Sequence, residues 1–175
     1  MPFDYFPVPM FIVRGAPGAG KSTFAKNLRG NSNAFIFETD NFFVDSVNHH
    51  DYHFDPSLLG IAHSWNQGEV IRACRDCPKV PIIVANTFRQ KFELKPYFDI
   101  AQTFKRGIFV FTLRTEHDNV HNVPEEKVKQ MRLGMQPFRW EDWGPYPFQY
   151  SRDIVTDDEA AKFAKMAHDK YFNLP

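Results

Sequence analysis

Residues 15–22 run Gly15-Ala16-Pro17-Gly18-Ala19-Gly20-Lys21-Ser22 and leave the chain few folds to choose from. They satisfy G-x-x-x-x-G-K-[S/T] at every fixed position. Such a loop works only where an apolar strand runs into it and a helix runs out of it. Residues 10–13 supply the strand, and residues 22–28 the helix, with Gly30 placed to end it. The glycines let backbone N–H groups turn inward around a phosphate, and the helix N-terminus adds partial positive charge. Lys21 then reaches the β- and γ-phosphates of a nucleoside triphosphate, Ser22 holds Mg²⁺, and Thr23 touches the α-phosphate. Gly15, Ala16, Pro17, Gly18, Ala19 and Gly20 form the rest of the cradle. ATP and Mg²⁺ are therefore the expected cofactors.

The remaining sequence agrees with that start. Apolar runs at 34–37, 80–85 and 108–113 alternate with helical patterns, which predicts βαβ units and a parallel sheet. Asp55-Pro56 reads as an N-cap followed by proline at the first helical position, opening a helix to about residue 74. Further helices are predicted at 90–103, carrying Pro96, and at 124–135. Thr156 with Glu159 marks a capping box for a last helix at 157–172. Segment 137–150, dense in proline and aromatic residues, is read as irregular. The expected fold is an α/β three-layer P-loop sandwich of the kinase type, with a mainly parallel sheet of four or five strands. It forms one domain over 1–175, with a lid at about 114–135 and an aromatic-rich segment at 137–175.

Composition narrows the function classes. Lys plus Arg and Asp plus Glu balance at 21 each, so a nucleic-acid partner needs a local basic groove rather than a global field. No run of about 18 apolar residues exists to span a membrane. The opening residues do not read as a secretory signal. Cys74 and Cys77 form one C-x-x-C, read as two thiols at a helix end before Pro78 rather than a zinc site. A reducing cytoplasm is expected.

A phosphotransferase needs a carboxylate to orient the acceptor hydroxyl and take its proton. Asp40, just past the second strand in Glu38-Thr39-Asp40-Asn41-Phe42-Phe43, is the candidate. Ligands of an open parallel sheet gather at the carboxyl ends of its strands, which puts Asp40 on the rim of the P-loop.

Several segments recur in order: the strand and P-loop, Thr39-Asp40-Asn41-Phe42-Phe43, Tyr52-His53-Phe54-Asp55-Pro56, Ala62-His63-Ser64-Trp65-Asn66-Gln67, Ile82-Ile83-Val84-Ala85-Asn86-Thr87 and Lys95-Pro96-Tyr97. Over about residues 11–131 the chain resembles the polynucleotide 5′-hydroxyl kinase family, in particular its Nedd-binding-protein-like and phage-kinase-like members. The resemblance implies that Lys21 and Ser22 serve the triphosphate and Mg²⁺, and that Asp40 is the general base. It also implies that Asn86 and Thr87 meet the acceptor near its phosphate, with His63, Asn66 and Gln67 flanking it from a helix. Packing within that helix is the competing reading for those three. The implied partner is DNA, RNA or a nucleotide in the cytoplasm, which is the host's cytoplasm if a phage encodes the chain.

Two departures stand out. Ala85 occupies the place of an expected Asp, so Asp40 or Glu38 is expected to supply the acid. The lid stretch 116–123 holds no arginine, leaving Arg114 and Arg132 as candidates.

Other clusters carry paired readings. His49, His50 and His53 with Asp45, Asp51 and Asp55 form either a metal site or, preferably, a polar loop. Lys127, Lys129 and Arg132 form either a phosphate grip or a solvated face. Trp140, Trp143, Tyr146, Phe148 and Tyr150 either stack a base or, preferably, fold over the sheet. The expected activity is transfer of the γ-phosphate of ATP to a polynucleotide 5′-hydroxyl. The alternatives are a hydroxymethyl group on a modified pyrimidine in DNA, such as 5-hydroxymethyluracil, and a nucleotide-binding regulator with weak catalysis.

Overall fold

The computed structural model describes residues 7–44 and 51–172. The strands are β1 (Pro9–Arg14), β2 (Phe35–Phe37), β3 (Ile82–Asn86), β4 (Gly107–Leu113) and β5 (Gln149–Ile154). The helices are α1 (Lys21–Arg29), α2 (Leu59–Asp76), α3 (Lys91–Thr103), α4 (Glu125–Leu133) and α5 (Asp157–Tyr171). The five strands form one sheet in the order β2-β3-β1-β4-β5, every pair parallel.

The expected four- or five-stranded parallel sheet is thus a five-stranded one. Its three central strands are buried along their whole length. That is why they read as unbroken apolar runs rather than alternating ones. Alternate residues serve opposite layers. Phe11 and Val13 pack with Phe24, Leu28, Ala164 and Tyr171 under α1 and α5. Met10 and Ile12 pack with Val70, Leu94, Tyr97 and Phe98 under α2 and α3.

Local signals fixed most boundaries. The Asp55 side chain accepts from Ser57 N at 2.9 Å, capping a 3₁₀ turn at Pro56–Leu58 that leads into α2. Gln90 and Glu93 close a capping box on α3, within which Pro96 lies. Thr156 Oγ1 accepts from Glu159 N at 3.2 Å to start α5.

The segment read as irregular divides in two. Phe138, Trp140, Trp143 and Tyr146 pack around Phe98 of α3, with Trp143 stacked on it at 4.1 Å. The covering role, not base stacking, is therefore the one these rings occupy. The chain then forms β5, an element the sequence concealed. Its Gln-Tyr-Ser-Arg-Asp-Ile is mostly exposed, as an edge strand permits.

Cys74 is buried at the end of α2, where burial pushes its thiol pKa up, and both cysteines are free thiols. Arg106 supports that helix end, donating to the carbonyls of Val80, Cys77 and Pro78. No group of three potential metal ligands occurs among the described residues. Asp45, His49 and His50 lie outside them. No described helix is long and apolar enough to cross a membrane.

Candidate active site

β1 ends at Arg14 and the chain enters the P-loop. Gly18 and Gly20 take positive φ, 79° and 84°, a conformation that suits glycine. Space demands glycine as well. A Cβ at Gly18 would lie 2.2 Å from His117 O, and one at Gly15 would lie 2.9 Å from both Leu113 O and Ala19 Cβ. Gly15 N also donates to Thr87 O, tying the loop to the end of β3.

Lys21 Nζ donates to Ala16 O at 3.0 Å, so its ammonium is drawn into the loop although the residue is partly exposed. Burial pushes its pKa down to about 8, against the opposing charges of Asp40 and Glu38. Ser22 Oγ donates to Glu38 Oε1 at 2.7 Å.

The opposite wall starts at the end of β2. A 3₁₀ turn, Thr39–Phe43, carries Asp40. Its position is set from beneath. Asn86 Oδ1 accepts from Thr39 N at 2.8 Å, and His63 Nδ1 lies 3.4 Å from Thr39 Oγ1. Asn66 Nδ2 donates to the Tyr97 hydroxyl at 2.7 Å, and that hydroxyl also neighbours Thr39 and Asn86. Tyr52 OH donates to Asp40 Oδ1 at 3.3 Å. Burial first, then the charge and hydrogen bond of Asp40, push the Tyr52 pKa up to about 12, so Tyr52 keeps its proton.

A lid spans the two walls. Thr115 Oγ1 donates to Ala19 O at 2.7 Å and His117 N to Gly18 O at 2.7 Å. His117 Nε2 lies 2.9 Å from Asp157 Oδ1 at the start of α5. Asn119 brackets Val123 through both its side-chain oxygen and nitrogen. His121 Nε2 lies 3.4 Å from Asp40 Oδ2.

The open cleft between these walls has a volume of about 750 Å³. Of the residues singled out in the sequence, Pro17, Gly18, Gly20, Lys21, Ser22, Thr23, Asp40, His63, Asn86 and Thr87 line it. Ala16 and Ala19 are buried within the loop. Gln67 is half-buried and does not line the cleft.

Asn66 is a correction. It is fully buried and spent on Tyr97, so it supports the Thr39–Asp40 turn from inside and does not face an acceptor. Asn86 reaches the cleft but likewise spends its side-chain oxygen on Thr39 N. The two lid arginine candidates are also corrected. Arg114 pairs with Asp153 at 3.4 Å and Arg132 with Glu116 at 3.2 Å, and neither lines the cleft. Lys127 does, without Lys129 or Arg132.

Sequence reasoning missed Arg89, Tyr52 and His121 as cleft residues. Arg89 directly follows the Asn86-Thr87 turn, which was the signal available for it. Behind it, buried Arg14 donates to Phe88 O at 2.9 and 2.6 Å and to Gln136 O at 3.0 Å. This holds Phe88, at φ 47°, and so sets where Arg89 leaves the sheet.

A parallel 2-3-1-4-5 sheet with a P-loop after its central strand and a carboxylate facing that loop is the fold of the P-loop kinases. Residues 10–138 match the family model described as an AAA domain, AAA_33, and the chain belongs to that family. Human NEDD4-binding protein 2 is 34% identical over a 146-residue alignment that covers 77% of this chain and 8% of that protein. Two solved structures share the fold. A gluconokinase from Sinorhizobium meliloti 1021 aligns over 95% of each chain, with TM-score 0.60 and 12% identity. A chain of the Pnkp1/Rnl/Hen1 complex aligns over 85% of this chain and 48% of its own length, with TM-score 0.53 and 19% identity.

Proposed function

We propose that this protein transfers the γ-phosphate of ATP to a hydroxyl on a nucleic acid, and that a polynucleotide 5′-hydroxyl is the acceptor. The observation that carries the reading is the placement of Asp40 in one cleft with Lys21 and Ser22, on a turn held by Asn86, His63, Tyr52 and Tyr97, with Asn66 behind Tyr97. The ordered likeness to polynucleotide kinases over about residues 11–131 supports the acceptor, and the cytoplasm suits its free thiols.

The residues present fit the expected cofactors. Gly18 and Gly20 take positive φ, which lets the backbone N–H groups of the loop turn toward a triphosphate. Lys21 contacts its β- and γ-phosphates. Ser22 and Glu38 present oxygens in mutual contact on the exposed rim, as a hard cation requires. Glu38 thus takes the place of the acid missing at Ala85, from the neighbouring strand. Bound there, Mg²⁺ neutralises charge on the phosphates. Asp40 accepts the proton of the acceptor hydroxyl as its oxygen bonds to the γ-phosphorus, and the bond from that phosphorus to the β,γ-bridging oxygen breaks to release ADP. Arg89 and Lys127, cationic and on the cleft wall, face the acceptor's phosphates.

A second reading has one observation of its own. Phe54 and Phe92 line the cleft yet are 46% and 70% exposed, a wall suited to an extruded base bearing a hydroxymethyl group. Labelled ATP offered with 5′-hydroxyl oligonucleotides, and with end-phosphorylated hydroxymethylated duplex, separates the two. Label on the free 5′ ends is expected. Label in the end-blocked duplex would move the acceptor to the base, and nucleotide binding with no transfer to either would favour a regulator.

A further inference from the structure

The lid residues 115–123 contain neither lysine nor arginine, yet the lid tip reaches across the cleft and touches Asp40. The contact is made by His121. Its Nε2 lies 3.4 Å from Oδ2, while Tyr52 OH donates to Oδ1 from the other side at 3.3 Å. The His121 ring lies against that of Tyr52, centroids 4.5 Å apart. Tyr52 is in turn set edge-on to buried Phe43 and parallel to Phe54. A row of rings therefore fixes the imidazole.

Nothing in the core forces the contact, since the side chains of His121 and Asp40 are 38% and 47% exposed. A carboxylate free to turn about its last torsion offers an acceptor hydroxyl many orientations. One with each oxygen engaged by a fixed partner keeps lone pairs free in a single plane, and a carboxylate has about four lone-pair sites to share.

We propose that His121 is a positioning residue for phosphoryl transfer: from the lid it holds the Asp40 carboxylate in the orientation that receives the acceptor hydroxyl. The tip of the lid then aligns the base while its root stays bonded to the P-loop. The inference rests on the reading of Asp40 as general base.

The test is a double-mutant cycle on the full chain, with a 5′-hydroxyl oligonucleotide as acceptor and nucleotide affinity measured separately. His121→Ala should lower kcat by roughly tenfold or more, the scale of a small misplacement of a reacting group, with nucleotide Kd within about twofold. His121→Gln, whose amide can donate from nearly the same place, should recover most of that loss. In an Asp40→Asn background His121→Ala should have no further effect, since partners that act through one another are not additive. An unchanged kcat in His121→Ala, an equal loss of nucleotide affinity, or additive effects in the double mutant would each overturn the proposal. Asp40→Asn at the wild-type rate would overturn the base reading along with it. A crippled Asp40→Asn beside an unaffected His121→Ala would overturn this proposal alone.

Discussion

The proposed phosphate end and the proposed acceptor end of the cleft are built in opposite ways. The phosphate end comes from one stretch, 15–22, and works largely through main chain, so glycines decide its shape and the motif announces it. The acceptor end is assembled from β2, the segment after residue 50, α2, β3, α3 and the lid, through side chains that meet only in the fold. A contiguous backbone site tolerates change around it but not within it. A dispersed side-chain site can lose members one at a time and fail by degrees.

That contrast can be pressed hardest at Lys21. Lys21→Ala should remove phosphoryl transfer, by roughly 10³-fold or more, because a charge aimed at the transferring group has no substitute. Its thermal melt should match wild type, since Lys21 faces the cleft. Normal turnover by the folded variant would break the assignment of the phosphate end.

At the other end, Asp40→Asn preserves shape and removes the base. A fall in kcat of about 10²–10⁴-fold is expected with nucleotide affinity kept. If affinity falls instead, Asp40 belongs to the phosphate end and the division drawn above is misplaced.

The pH dependence of nucleotide binding sharpens the comparison next. Burial holds Lys21 near pKa 8, below its ordinary value, whereas bound phosphate favours the charged form. Affinity should be flat below that pH and weaken above it, by at most about tenfold per pH unit, with a proton taken up on binding. Calorimetry in two buffers of different ionisation enthalpy reads this directly. Binding above pH 8 without proton uptake would contradict it.

The smallest effect expected is on the scaffold of the acceptor end. Tyr97→Phe leaves Asn66 Nδ2 without its acceptor in the core, at a cost of about 1–3 kcal/mol. The melt should drop while kcat changes far less than in Asp40→Asn. An undisturbed melt would mean that this network does not brace the turn.

The same contrast explains what the sequence disclosed. The P-loop, the three buried central strands and the caps of α2, α3 and α5 follow from local chemistry and were legible. Asp40 was legible because strand ends in parallel sheets share a rim. β5 was hidden because an exposed edge strand has little need of an apolar pattern. Asn66 misled because a polar residue in a helix looks alike whether it faces solvent or an internal hydroxyl. The contacts of Glu38 with Ser22 and His121 with Asp40 link residues 16 and 81 positions apart, and no spacing rule reports such pairs.

The root of the lid is stitched to Gly18 and Ala19 by two hydrogen bonds, and Asn119 bridges to Val123 farther out. A flap hinged at its root would have to tear the P-loop open with every turnover. A short tip around residues 118–122 could lift without breaking either of these bonds, leaving the floor beneath assembled. Admission of an acceptor then needs the small, fast excursions of a few residues rather than a domain-scale rearrangement, and the triphosphate can remain seated while one acceptor end is exchanged for the next.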